Sequence, residues 1–256
     1  MRYITAYASD IGIRKETNQD AILIKKARTD QGEILFAVIC DGMGGLEKGE
    51  VASKEVIGRL EKWFHEELPQ MLYEGLKEEK LQKKWKDIVV EENEKIGAFG
   101  RKHNVNLGTT VTALLVVEEN YYVVHVGDSR IYELSDTLYQ ITEDQTLVAK
   151  EIAAGRLAEE QEETDPRRSI LLQCVGASKI VEPVFYRGKI KEHATYLLCS
   201  DGLRHMCTPM EIWNSFCAQA NPDEHAMKSN ILEFIEMLKQ RREKDNISGI
   251  LIKTIR

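Results

Sequence analysis

The chain has 256 residues, 43% hydrophobic and 30% charged, with a formal net charge of −7, an ordinary composition for a globular protein able to bury a sizeable core. The negative balance, with no Lys/Arg run free of interleaved Glu or Asp, argues against nonspecific nucleic-acid binding. No segment approaches about 18 uninterrupted apolar residues, and the start MRYITAYASD lacks a cationic region followed by an apolar stretch, so a cytoplasmic protein without a membrane span is expected.

In chain order, three β-rich runs come first, RYITAYAS, AILIKKA and EILFAVIC, the third closed by the Gly-rich turn DGMGG. The period then changes. From Lys48 to about Leu68, and from about Glu78 to His103, apolar residues recur at helical spacing among charges, predicting two long amphipathic helices. TTVTALLVVE, NYYVVHVGDS and RIYELSD then read as a tight antiparallel meander with short EEN and GDS connections. Residues 143 to about 180 are irregular, with a short helix around Thr146 to Ala154 and a second acidic helical piece, and read as a flap over a site. The end repeats the opening plan: strands VFYRGKI and ATYLLCS, helices from about Pro209 to Ala218 and Asp223 to Arg242, and a final strand ISGILIKTI. This order predicts an α+β chain, a four-layer αββα sandwich of two mainly antiparallel sheets with helices outside. No linker or internal repeat is visible, so one domain spanning residues 1–256 is expected.

Five aspartates stand where strand-like runs stop: Asp20 in TNQDA, Asp41 in CDGMGG, Asp128 in VGDSR, Asp201 in CSDG and Asp245 in KDNIS. Taken singly, each reads more commonly as an Asx-type turn. Together they can converge oxygens on one sheet edge, where like charges about 4 Å apart repel by ~4 kcal/mol per pair at an effective dielectric of 20. Hard divalent cations are the simplest remedy. In DGMGG, the Gly42 carbonyl adds a further oxygen donor beside Asp41, although the turn matches neither a P-loop nor GxGxxG. Other chemistries are poorly supported. There is no HExxH and no CxxC pair. His65 and His125 read as surface or core histidines, and neither Cys40 nor Cys199 has an arginine six residues on, where a thiol phosphatase would want one. The five cysteines imply no disulfide framework.

The ordered set TNQDA, CDGMGG, GTT (Gly108 to Thr110), VGDSR, CSDG and DNIS resembles the metal-dependent type 2C protein serine/threonine phosphatases in their bacterial form, over nearly the whole chain. The resemblance implies two central antiparallel sheets flanked by helix pairs and two Mn²⁺ or Mg²⁺ ions at the sheet edge. By position, Asp41 would bridge both metals, Asp201 and Asp245 would complete one shell, and the Gly42 carbonyl and, through water, Asp20 would serve the other. Asp41 and Asp201 would thereby be the catalytic pair. A third metal would use Asp128 and Asp201. The implied partners are phosphoserine and phosphothreonine proteins and a cognate serine/threonine kinase, with no nucleic acid or membrane and a monomer as the default.

Two positions depart from that pattern. The arginine usual five residues before the first aspartate is here Lys15, preceded by Arg14, so phosphate binding is assigned to the two jointly. A lysine holds phosphate as a point charge without the bidentate fork of arginine. Met43 stands where eukaryotic members place a histidine. The stretch Glu143 to Ser169 is rich in Glu and Asp, a composition that would suit basic phosphopeptides. The competing readings are a catalytically silent phosphoprotein-binding module and a metal-dependent phosphohydrolase of small phosphate esters.

Overall fold

The structure is a computed structural model and describes residues 1–29, 32–44 and 48–255; Gly45, the last residue of DGMGG, lies outside them. Its strands are β1 (Arg2–Asp10), β2 (Ala21–Thr29), β3 (Gly32–Cys40), β4 (Gly42–Gly44), β5 (Leu107–Thr109), β6 (Val111–Val117), β7 (Asn120–Val126), β8 (Arg130–Leu134), β9 (Leu138–Gln140), β10 (Val184–Lys189), β11 (Thr195–Cys199) and β12 (Ile247–Ile255). The helices are α1 (Gly49–Glu66), α2 (Leu68–Tyr73), α3 (Glu78–His103), α4 (Leu147–Ala153), α5 (Pro209–Phe216) and α6 (Glu224–Gln240). Among the described residues no helix is long and apolar enough to cross a membrane.

The strands form two five-stranded antiparallel sheets, ordered β1-β12-β11-β8-β9 and β10-β7-β6-β3-β2, and a small β4-β5 pair. β3 explains the layering. Its unbroken apolar run is buried on both faces, as a central strand requires. Leu35, Ala37 and Ile39 meet Tyr196, Leu198, Ile250 and Ile252 of the other sheet, while the alternate residues Ile34, Phe36 and Val38 face the helices. On that side Ala52, Val56, Leu60 and Trp63 of α1, spaced by three or four, pack with Leu81, Trp85 and Ile88 of α3. Phe36 stacks on Phe64 at 5.7 Å and meets Trp63 edge-on at 5.4 Å. Beyond the other sheet, Phe216 of α5 and Ile231, Phe234 and Leu238 of α6 cover Leu197, Ile247 and Leu251. Helices, sheet, sheet, helices is therefore the observed layer order.

Local signals set the helix ends. α3 begins with Glu78 and Glu79 and ends with Arg101, Lys102 and His103, complementing its dipole, and stops at Asn104 in the left-handed region. α5 starts on a Thr208/Glu211 capping box with a proline in its first turn. Between α1 and α3 the chain makes an additional short helix, α2, where Pro69 ends one hydrogen-bond ladder and opens another.

The meander expected over TTVTALLVVE, NYYVVHVGDS and RIYELSD is corrected by the strand order. β6 and β7 pair as a hairpin, but β8 leaves that sheet and pairs with β11 and β9 in the other. The GDS connection is a crossing between layers. Gly127 at its start has φ +111°, and a Cβ there would lie 2.5 Å from the Thr110 side chain, so only glycine makes this turn. Asp128 is thereby carried to the seam between the sheets.

Candidate functional site

Several chain segments meet at one end of the two sheets. Asp41 follows β3, Asp128 lies in the β7–β8 crossing, Asp201 follows β11, Asp245 precedes β12, and Asp20 and Lys15 belong to the β1–β2 connection. Asp41, Gly42, Asp128, Asp201, Asp245 and Lys15 line one open cleft of about 280 Å³, with Gln19, Met43, Ser169 and Leu171 completing its wall. Asp20 is buried behind this surface, while Arg14 is exposed and outside the lining. Of the two candidate phosphate-binding cations, Lys15 is the one brought into the cleft.

The GTT motif fixes Asp41 by its backbone. Asp41 N donates to Thr110 Oγ1 at 2.9 Å, while Thr110 N and Thr109 Oγ1 donate to the Asp41 carbonyl at 2.8 and 3.0 Å. Thr110 Oγ1 also meets Ser129 Oγ at 2.9 Å, tying this turn to the layer crossing. Gly42 is required by contact, because a Cβ there would lie 2.4 Å from the Gln19 carbonyl and 2.5 Å from that of Gly49. With its amide nitrogen facing inward, Gln19 donates to the Gly42 carbonyl at 3.1 Å and accepts from Gly49 N at 3.2 Å.

Asn246, quoted in the DNIS motif but given no role by it, staples the β1–β2 connection to the site. It is 2% exposed, accepts from Gln19 N at 2.9 Å, and donates to the carbonyls of Ile11 and Thr17 at 2.9 and 3.2 Å. Asn246→Ala strands these buried groups and is expected to cost about 2–3 kcal/mol, read as a lower urea midpoint. An unchanged midpoint would refute the staple.

The carboxylates are crowded, and Asp20, Asp128 and Asp201 among them are buried. Burial, then repulsion from Asp201 and Asp245, pushes Asp20 up to about 7, despite hydroxyl donation from Ser200 at 2.9 Å. Burial and Asp201 likewise push Asp128 to about 7 against the pull of Arg204. Asp41 is raised well above the usual range by burial and by the surrounding aspartates, Asp20 first. Asp20 Oδ1 and Asp201 Oδ1 are buried without a hydrogen-bond partner among the described residues. Hard oxygen donors with orphaned lone pairs and uncompensated negative charge fit divalent cations. Among the described residues, no three His, Cys, Asp or Glu side chains close into a ready-made cage. An open carboxylate cleft suits Mg²⁺-like ions, which keep several waters. Lys15 meanwhile pairs with Asp245 at 2.6 Å; burial disfavours its charge, but Asp245, Asp41 and Asp201 together hold its pKa above the ordinary lysine value.

A second polar layer escaped sequence reasoning. Arg130 grips Asp144 through two bonds, of 2.8 and 2.9 Å, and reaches Glu162 at 2.8 Å; Arg204 Nη2 meets Asp144 Oδ2 at 2.9 Å and the Asp128 carbonyl at 3.3 Å. Burial alone would raise Asp144, yet Arg204 and Arg130 hold it below its usual range. His205 Nε2 lies 3.6 Å from Asp201 Oδ2. Arg130 was visible within VGDSR, but its partners lie 14 and 32 residues away and carry no local signal.

The family model of protein phosphatase 2C matches residues 13–251. The chain belongs to the protein phosphatase 2C family. This phosphatase-family chain is 30% identical over 248 residues to a protein phosphatase 2C-type protein of Streptococcus pyogenes serotype M6, covering 95% of its own length and 94% of the relative's. Its fold is similar to that of the S. agalactiae serine/threonine phosphatase, at 27% identity and TM-score 0.84, over 99% of this chain and 100% of that one. It is also similar to the catalytic domain of the serine/threonine protein phosphatase PstP in complex with two manganese ions, at 28% identity and TM-score 0.79, with full coverage of both chains.

Proposed function

We propose that this chain hydrolyses phosphoserine and phosphothreonine in proteins, using divalent cations held by its aspartate cleft and opposing a serine/threonine kinase. The observation that carries the reading is the convergence of Asp41, Asp128, Asp201 and Asp245 on one cleft, with buried orphan oxygens on Asp201 and on Asp20 behind it. Asp41, Asp201, Asp245, the Gly42 carbonyl and Asp20 would hold two ions, Mn²⁺ or Mg²⁺, and Asp128 with Asp201 a third. Bound there, such ions supply a water activated near neutral pH and neutralise charge on the phosphoryl oxygens.

The remaining roles fall to the chain's own groups. Lys15 presents an ammonium at the cleft, where it can hold a phosphate oxygen once it shares or releases Asp245. Arg14 is exposed beside it and outside the cleft lining, so the grip on phosphate falls to Lys15 first. Met43 offers no proton to the cleft wall, so the turn shapes the site without acting as an acid. Thr109, Thr110 and Asn246 hold the carboxylate-bearing turns before substrate arrives, which spares the reaction that reorganisation.

The test is phosphate release from a phosphothreonine peptide with Mn²⁺, with Mg²⁺ and with EDTA. Release that requires the cation, together with poor turnover of nucleotides, is expected. Binding of the phosphopeptide without release under any cation would instead identify a silent phosphoprotein-binding module.

A further inference from the structure

Adjoining the cleft is a second depression of about 510 Å³, whose wall includes Met43, Ser169 and Leu171, residues that also line the cleft. The two spaces are therefore neighbours that share part of one wall. Its wall also carries Leu172 and Ile180, 49% and 71% exposed, and among the described residues its only charged lining residue is Lys179.

The backbone that carries Leu172 is pinned as far as Ser178. Leu172 N donates to the Gln145 carbonyl and Leu147 N to that of Ile170, both at 2.8 Å. Val175 exchanges two 2.9 Å bonds with Thr109, the same residue that fixes Asp41. Asn93 of α3 accepts from Gly176 N at 2.7 Å and donates to the Ser178 carbonyl at 3.0 Å. Exposed apolar groups on a preorganised wall bind without a large ordering cost.

Among the described residues, no acidic side chain of residues 143–169 lines this groove. Asp165 pairs with Arg167 and Glu151 with Arg156, each at 2.7 Å, and Asp144 and Glu162 are engaged by Arg130. The groove itself therefore offers a substrate apolar neighbours rather than acidic ones.

Resting on the phosphatase reading, we propose that this groove is a subsite for an apolar side chain flanking the phosphorylated residue of the substrate polypeptide, with Leu172 and Ile180 as specificity-determining residues. Any polypeptide whose phosphoryl group enters the cleft must leave across a neighbouring surface, and this one shares three wall residues with it.

The test compares two phosphothreonine peptides, with Leu or with Ser flanking the phosphothreonine, on wild type and on the Leu172→Ser, Ile180→Ser double variant. p-Nitrophenyl phosphate serves as a substrate without flanks. Both replaced side chains are substantially exposed, so folding should survive. Wild type is expected to favour the Leu peptide by about tenfold in kcat/KM, chiefly through KM. The variant should lose that preference while hydrolysing p-nitrophenyl phosphate as before. No preference in wild type, or the same preference in the variant, overturns the proposal. A concentration-dependent dimer that the variant abolishes, with peptide kinetics unaltered, would also overturn it by assigning the groove to a second copy of the chain. If p-nitrophenyl phosphate is not hydrolysed with Mn²⁺, the phosphatase reading fails separately. Fluorescence anisotropy of the two peptides then decides the groove: tighter binding of the Leu peptide, lost in the variant, supports it, and equal binding refutes it.

Discussion

Asp41→Asn is expected to lower cation-dependent phosphate release by at least about 10³-fold in kcat/KM, equivalent to ~4 kcal/mol of transition-state stabilisation, while making the metal-free protein more stable. The two effects share one cause. Asp41 stands at the end of β3, half-buried among like charges, and burial together with those charges holds its pKa well above the ordinary range. Asparagine keeps the shape and removes the charge, relieving repulsion that the folded chain otherwise bears. A rise of a few degrees in melting temperature in EDTA follows, at about 2–4 °C per kcal/mol for a chain of this size. Added Mn²⁺ should stabilise wild type and leave the variant nearly unmoved, because the ion has lost a charged oxygen donor. A variant that retains cation-dependent activity within tenfold of wild type would remove Asp41 from the centre of the site. One that melts lower than wild type in EDTA would show that the carboxylate is satisfied by its surroundings rather than strained by them.

The stabilisation conferred by Mn²⁺ should itself depend steeply on pH. Asp20 and Asp128 titrate near 7 in the folded chain and near 3.8 when unfolded. Between those values the folded state holds protons that the unfolded state has released, so metal-free stability falls as pH rises through this window. A displacement of about three pH units corresponds to ~4 kcal/mol for one group. His125 acts in the opposite direction. Buried with Thr112 and the Glu143 carbonyl, it is depressed to about 4, so the unfolded state binds its proton more readily and stability rises with pH up to about 6.5. The difference between melting curves with and without Mn²⁺ isolates the cleft, because His125 is not among its lining residues. Cations compete with protons for the same oxygens, so the gain from millimolar Mn²⁺ should be small at pH 5 and reach about 10 °C at pH 8. A gain that does not change with pH would mean that the ion binds somewhere other than these carboxylates.

Much of this architecture follows from short-range pattern. β3 and β12 are legible because an unbroken or alternating apolar run has few places to go except a covered sheet, and α1 and α3 because helical spacing of apolar groups demands one buried stripe. The positions of the five aspartates at strand ends are likewise local facts. Their meeting in space is not, because convergence requires knowing which strands are neighbours.

The sequence by itself determined the elements, their order and the ordered aspartate motifs, since each depends on residues a few positions apart. Only the tertiary structure decided that the GDS turn crosses between sheets, because β8 pairs with β11, more than sixty residues later in the chain. It also decided that Lys15 rather than Arg14 lines the cleft, through a staple from Asn246 more than two hundred residues away. Arg130 and Arg204 share Asp144 for the same reason, and Arg130 also draws Glu162, 32 residues away, into an ion pair. Burial and charge pairing are properties of neighbours in space, and composition along the chain does not contain them.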